Sequence, residues 1–389
     1  MRIAFITDKS RPMFVGGYET RVYEFARRLS QLHEVVIFTS LDSREAACGN
    51  VKFLRTTPTA FQRSRSGDRS LIHSALYGLS LITNRIRDFK PDVVIVEAIP
   101  YIHLASASKW LFQGSHIVVL DVLEAWEDFR YTTIPGLRQI SHRIIKHSLL
   151  KGLSHADVIL AISSATLNSL VRGYGVEPSK VTLLPLGADS ELQAENYQAT
   201  PKSYDFVTLG RLVRPKRITD FVEALAILDR EAGWRGRAVI IGDGPMKREI
   251  SLMVDRNGLS SRVDIAGLLS ESDKLRYLQM SRVFVLASER EGFSLATLEA
   301  MNCGLPAVVA RPQFDEVFGQ GDFVIDQKNG LYFPVGNVRQ LANYMLHLLR
   351  NPGLIETLGE NAQRTAQEYS WNSLARRLEA ILQSAQRHG

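Results

Sequence analysis

The chain has 389 residues, 45% of them hydrophobic, with 47 Lys and Arg against 41 Asp and Glu for a net charge of +6. This is the make-up of a globular protein with room for about two or three domains. No run approaches the ~18 consecutive apolar residues of a membrane span. The two cysteines, Cys48 and Cys303, lack any CxxC spacing, which excludes a disulfide framework or zinc knuckle and indicates a reducing, cytoplasmic compartment.

The first strand is predicted at 3–7 (IAFIT), too short an apolar run for a signal peptide. Gly16 and Gly17 then open a helix whose apolar face is Val22, Phe25, Leu29 and Leu32. A glycine pair between strand and helix lets backbone approach a ligand, although any tight turn also uses glycine. Further strands are predicted at 34–39, 51–55, 92–96, 117–122, 157–162 and 181–184, with helical patterns between most of them. Continuous apolar strands alternating with helices indicate an α/β, doubly wound parallel sheet. The whole charge excess lies in this half: residues 1–189 hold 23 Lys and Arg against 17 Asp and Glu, and the rest hold 24 against 24. Such a bias fits nucleic acid, an anionic membrane surface or an anionic substrate, and also plain solubility.

Periodicity fails across 190–204, which is read as a linker between a first domain at 1–189 and a second at 205–369. Strands are predicted in the second domain at 205–209, 238–241, 263–266, 283–287, 307–310 and 323–325. Two Rossmann-like sheets facing across a cleft are the expected architecture. An amphipathic helix within 370–389 is left to pack on either domain. His33 and His116, at strand starts, are expected in surface or turn positions.

Ligands of open α/β sheets bind at the carboxyl ends of the strands, and the second domain concentrates polar groups there. GRLVRPKR at 210–217 sets Arg211 and Lys216 in one strand-to-helix loop, where a planar fork and a point charge can clamp a diphosphate. GDGP at 242–245 brings Gly244 and Pro245 to the next loop. The stretch EGFSLATLEAMNCGLP at 291–306 reads as loop, helix and stop. Ser294 caps the helix, Gly304 ends it and Pro306 forbids its continuation. Its first turn offers free N–H groups to phosphate. Glu291 and Glu299 suit the hydroxyls of a sugar nucleotide; solvated carboxylates and a solvated basic loop would give the same pattern.

These stretches, in this order, resemble the retaining family 4 glycosyltransferases of GT-B fold. The likeness runs from Gly16 and Gly17 through LPLGAD at 184–189, GRLVRPKR, GDGP and the Glu291 stretch to EYSWNSLARRLEAIL at 368–382. It implies transfer of a hexose from a nucleotide-diphosphate sugar, with retention and without a metal or other cofactor, to a glycan or lipid-linked acceptor. Arg211 and Lys216 would then hold the diphosphate, Glu299 the ribose and Glu291 the donor sugar. Gly16, Gly17, Gly244, Pro245, Gly292, Phe293, Ser294 and Leu295 would complete the donor site, and the last helix would cross back to the first domain. Where many members carry His after the fifth strand, this chain reads VVLDVLEAWED, which leaves Asp121 as the acceptor-side catalytic candidate. Downstream, Glu316 stands in RPQFDEVFG where relatives have a glycine loop before a Glu. The absence of any Asp-x-Asp agrees with metal independence. A GT-B epimerase, a phosphorylase or a non-catalytic sugar-nucleotide binder would reuse the same residues. An NAD enzyme is disfavoured because no Gly-x-Gly-x-x-Gly follows a leading strand, and no nucleic-acid partner is expected.

Between 61 and 90, Arg63, Arg65, Arg69, Arg85, Arg87 and Lys90 flank an apolar middle. A helix covering a sheet has the same pattern, but at ~1 kcal/mol per basic group the segment would also hold the protein peripherally on an anionic membrane. The expected outcome is co-sedimentation with anionic but not neutral vesicles, weakened by salt and by changing Arg63, Arg65 and Arg69 to Gln. Equal binding to neutral vesicles, or none at low salt, contradicts it.

Overall fold

The computed structural model describes residues 1–7, 17–39, 50–55, 88–98, 104–105, 107, 112, 115–123, 150–188, 201–313 and 318–388. The chain divides into two compact units, Met1–Leu186 with Trp371–Gly389, and Gly187–Ser370. Gly16, Glu316, most of the basic segment and most of the connector lie outside the described residues.

In the first unit the strands are β1 (Arg2–Ile6), β2 (Glu34–Thr39), β3 (Lys52–Arg55), β4 (Val93–Glu97), β5 (Ile117–Val122), β6 (Val158–Ala161) and β7 (Val181–Leu183). Helix α1 (Gly17–Leu29) follows β1, and α2 (Ser164–Asn168) follows β6. All pairings are parallel, in the order β3-β2-β1-β4-β5-β6-β7. The strands read as unbroken apolar runs because both faces are covered; β5 is buried at all six positions.

The second unit begins with β8 (Tyr204–Leu209) and α3 (Ile218–Ala232), then β9 (Ala238–Ile241), α4 (Lys247–Arg256), β10 (Val263–Gly267), α5 (Glu271–Gln279) and β11 (Ser281–Leu286). It continues through α6 (Leu295–Asn302), β12 (Ala307–Arg311), β13 (Gly330–Pro334), α7 (Val338–Arg350) and α8 (Pro352–Gln367). Its parallel sheet has the order β10-β9-β8-β11-β12-β13. Counted within the unit this is 3-2-1-4-5-6, the doubly wound order whose chain direction across the sheet reverses between the first and fourth strands. That switch point lies between β8 and β11, which pair in the register Val283 to Phe206 and Phe284 to Val207. Phe206, Ile240, Val283, Val285 and Val308 on one sheet face pack with Phe221, Leu225, Ile250, Leu341 and Met345 from the helices. Each such side chain adds about 1.5–3 kcal/mol when fully buried.

One predicted strand is corrected. Residues 323–325 are not a strand; the sixth strand is β13, which pairs with β12 from Ala307 to Gly330 through Arg311 to Pro334. Phe323 and Val324 are fully buried, but on irregular backbone after a short 3-10 turn, so apolarity there signalled burial without pairing. Gly330 hid the true strand. A Cβ at that position would lie 2.4 Å from the Ala307 carbonyl oxygen, so the close strand approach excludes the side chain that would have marked it.

The last helix, α9 (Trp371–His388), belongs to the first unit. Its Trp371 meets Phe25 of α1 edge-on at 5.4 Å, Arg28 donates to Asn372 at 2.6 Å, and His33 pairs with Glu379 at 2.9 Å. His33 therefore docks a helix, and His116 is buried with its ring 5.6 Å from Phe112. Replacing Trp371 with Ala is expected to destabilise the first unit by about 3–5 kcal/mol in denaturant titration. A loss below about 1 kcal/mol would show α9 to be dispensable to that unit.

Candidate functional site

Three loops at the carboxyl edge of the second sheet are welded by main-chain bonds. Gly210 N donates to Ile241 O at 3.0 Å, Leu212 N to Asp243 O at 2.9 Å, Met246 N to Leu212 O at 3.0 Å and Gly242 N to Gly267 O at 2.8 Å. The glycines of GDGP serve this weld. A Cβ on Gly242 would sit 1.9 Å from Gly210 O, and one on Gly244 would sit 2.5 Å from Leu212 O. Pro245 stands exposed beside them. Asp243 accepts from Gly244 N at 2.7 Å, which, with Lys247, holds its carboxyl below the usual range.

The loop after β8 then turns through a 3-10 segment, Arg214–Lys216, to Arg217, whose backbone is left-handed at φ 48°. Arg217 is fixed by Asp220 at 2.8 Å and by Glu289 at 3.4 Å, and Glu289 N donates to Pro215 O at 2.9 Å. The loops after β8 and β11 are thereby tied together across the switch point. On that tie, Lys216 Nζ donates to Glu291 Oε1 at 2.5 Å, with the Glu291 side chain only 9% exposed. Gly319 N donates to the Glu291 carbonyl at 2.9 Å and sets its backbone. Arg211 is exposed and makes no ion pair among the described residues. The sequence thus placed Arg211 and Lys216 in one loop, whereas the structure engages only Lys216 with a carboxylate.

Ser294 caps α6 from a left-handed backbone at φ 78°: its Oγ accepts from Thr297 N at 3.4 Å and meets Thr297 Oγ1 at 2.7 Å. Thr297 donates in turn to the buried Gln320 at 3.2 Å, so the helix N-terminus is anchored beneath the loop. Gly292 and Leu295 are half-buried in it. Phe293 is buried against Phe323 at 4.7 Å and Tyr369 at 5.8 Å, so its side chain belongs to the core. On the second turn, Glu299 Oε1 accepts from Lys274 of α5 at 2.8 Å, and Lys274 also reaches Glu271 at 2.8 Å. Burial pulls the Lys274 ammonium down, but Glu299 and then Glu271 outweigh it and the net is upward. Cys303 lies in the same electrostatic neighbourhood; burial first and Glu299 second push its thiol up to about 12, so it stays neutral.

In the first unit, Gly17 begins α1 with ordinary clearance, a Cβ there lying 3.6 Å from Leu186. Asp121 is the penultimate residue of β5 and is buried. Its Oδ2 accepts from Arg21 Nε at 2.7 Å, and Arg21 Nη1 donates to Pro185 O at 2.6 Å. Among the described residues no three His, Cys, Asp or Glu side chains are gathered as a metal site would require.

Residues 189–365 match the family model described as glycosyl transferases group 1, and residues 15–192 match that of glycosyltransferase family 4. The chain belongs to the family 4 glycosyltransferases. The curated relatives of this glycosyltransferase include an alpha-monoglucosyldiacylglycerol synthase from Acholeplasma laidlawii, 24% identical over 98% of the chain and 96% of the relative. A sulfoquinovosyl transferase from Arabidopsis thaliana is also 24% identical, over 96% of the chain and 71% of the relative. Among solved structures, a sucrose-phosphate synthase from Thermosynechococcus elongatus superposes with a TM-score of 0.81 at 18% identity, covering all of both chains. Anabaena HepE in complex with UDP does so with 0.74 at 16% identity, covering 99% of this chain and all of that one. The fold is GT-B.

Two partners of the candidate residues, one in each unit, carry no signal in the sequence. Lys274 is one cation in an ordinary polar helix, and Arg21 is one arginine beside an apolar stripe; nothing in their spacing pointed to Glu299 or to Asp121. The buried Arg21–Asp121 pair gives a discriminating expectation. Asp121→Ala leaves a buried guanidinium uncompensated and is expected to destabilise the first unit by about 3–5 kcal/mol. Unchanged stability with lost turnover would instead return Asp121 to the reacting centre.

Proposed function

We propose that this glycosyltransferase is a retaining, metal-independent hexosyltransferase that takes a nucleotide-diphosphate sugar as donor and a glycan or lipid-linked molecule as acceptor. The observation that carries the reading is the Lys216–Glu291 pair at 2.5 Å across the switch point of the second sheet, with Glu299 eight positions further on the same edge. A diphosphate offers Lys216 a more highly charged partner than Glu291 does. Its arrival would transfer the ammonium to a phosphate oxygen and leave the Glu291 carboxylate to accept from donor-sugar hydroxyls. Arg211, exposed on the same loop, would close on the diphosphate from the solvent side, and the Ser294-capped helix would meet it with free N–H groups. Glu299 would accept from the ribose.

As the bond to the anomeric carbon breaks, negative charge grows on the departing phosphate. Lys216, Arg211 and the α6 N-terminus would meet that charge in place, which is electrostatic stabilisation by groups already held by the loop weld. In this reading Asp121 serves the scaffold, and the first unit takes the acceptor. The relatives' printed names support the class of chemistry: one Acholeplasma relative makes a glycosyldiacylglycerol, and the HepE structure holds UDP. A lipid-linked acceptor would place the enzyme peripherally on the cytoplasmic face of a membrane.

The test is turnover of UDP-, GDP- and ADP-hexoses with acceptor, followed by proton NMR of the product. An α-linked donor is expected to give an α-linked product, unaffected by EDTA. An inverted product contradicts retention, and loss of activity with chelator contradicts metal independence. Lys216→Ala or Arg211→Ala should weaken nucleoside diphosphate binding by about tenfold to a hundredfold, since charged hydrogen bonds are worth ~1.5–3 kcal/mol. Glu291→Ala should spare the nucleoside diphosphate and slow transfer, whereas Glu299→Ala should weaken both. Binding without turnover of any donor would favour a non-catalytic sugar-nucleotide binder.

A further inference from the structure

Glu299 is held by a residue on a different helix. Lys274 comes from α5, on the chain before β11, and its ammonium bridges Glu299 Oε1 and Glu271 Oε2, each at 2.8 Å. The Lys274 side chain is 12% exposed and that of Glu299 is 16% exposed, whereas Glu271, one turn before Lys274 on its own helix, is 40% exposed. The rim pair with Glu271 alone would neutralise Lys274. Its reach inward to Glu299 is therefore a separate feature that ties α5 to α6.

The consequence for Glu299 is geometric as well as electrostatic. A carboxylate has about four acceptor sites, and Lys274 occupies one of them on Oε1. The remaining sites stay available, and the bond restricts the carboxylate's rotation. One ammonium lies between the two carboxylates, and Lys202 adds a further positive charge beside Cys303, so Lys274 acts on Glu299 by placing its carboxylate. The neighbouring thiol of Cys303, pushed up to about 12 by burial first and by Glu299, adds no charge to the balance.

We propose that Lys274 is a positioning residue that fixes the Glu299 carboxylate for the ribose hydroxyls of the donor nucleotide, and thereby sets discrimination between ribonucleoside and dideoxyribonucleoside diphosphates. This rests on the assignment of Glu299 to the ribose made above. Lys274 touches no substrate atom in this scheme. It acts through Glu299, and its effect is confined to ligands that carry ribose hydroxyls.

The experiment is calorimetric titration of UDP, GDP and ADP, each against its 2′,3′-dideoxy counterpart, on the full chain and on Lys274→Met, Glu299→Ala and the double variant. The wild type is expected to prefer the ribonucleotide. Lys274→Met should cut that preference about tenfold while dideoxy affinity stays within about twofold, and the double variant should resemble Glu299→Ala alone. A general loosening of the fold would weaken both ligands together and overturn the proposal, as would an unchanged preference in Lys274→Met. Should Lys274→Met not fold, Lys274→Gln reads the same ratio. If the wild type shows no preference, the ribose assignment of Glu299 fails. If the preference vanishes in Glu299→Ala but survives in Lys274→Met, only the role of Lys274 fails.

Discussion

The pairing of β8 with β11 is the constraint on which the second unit's chemistry depends. The parallel order 3-2-1-4-5-6 reverses direction between these two strands, and only there do two strand-end loops diverge to opposite sides with space between them. Glu289 N to Pro215 O bridges that space in the backbone, and Lys216 to Glu291 bridges it in the side chains. Both charges are thereby held partly out of water by a partner that, in the proposed function, a diphosphate sugar would replace on either side. Keeping the two groups paired until a ligand arrives spares each the desolvation cost of standing alone, which for a half-buried ion exceeds the modest worth of an exposed pair.

Within each unit, further interactions hold the elements in place. The glycines of GDGP bring the β9 loop against the β8 loop at distances that no side chain would allow. Gln320 holds Thr297, Thr297 and Ser294 hold the start of α6, and Gly319 holds Glu291. In the first unit the buried Arg21–Asp121 pair links α1 and β5 to Pro185, the segment that leads out of the unit. Such a buried pair adds little net stability against apolar alternatives, but it is costly to break, so it specifies a geometry more than it strengthens the fold.

Much of this was legible in the sequence, and the limits were physical. The strands were visible because sheets covered on both faces leave unbroken apolar runs, as in IVVLDV of β5. The polar carboxyl edge of the second sheet was visible because glycine, lysine and glutamate cluster where those runs stop. What could not be read was partnership between segments far apart in sequence. Lys216 and Glu291 are 75 positions apart, and Arg21 and Asp121 are 100 apart; periodicity within one segment says nothing about which strands neighbour one another. Residues 323–325 misled because burial and strand pairing both favour apolar side chains, while Gly330 was overlooked because close backbone packing removes the side chain that carries the signal. Lys274 gave no sign at all, since a cation on a polar helix is ordinary until its inward partner is known.

The most direct measurement is a crystal structure of the chain with whichever of UDP, GDP or ADP raises its melting temperature most. A diphosphate is expected at the carboxyl edge of β8 and β11, with Lys216 Nζ transferred from Glu291 to a phosphate oxygen, Arg211 closed on the same group, and the ribose hydroxyls on Glu299 beside an undisturbed Lys274. A nucleotide bound at any other edge, with Lys216 still on Glu291, would contradict that placement.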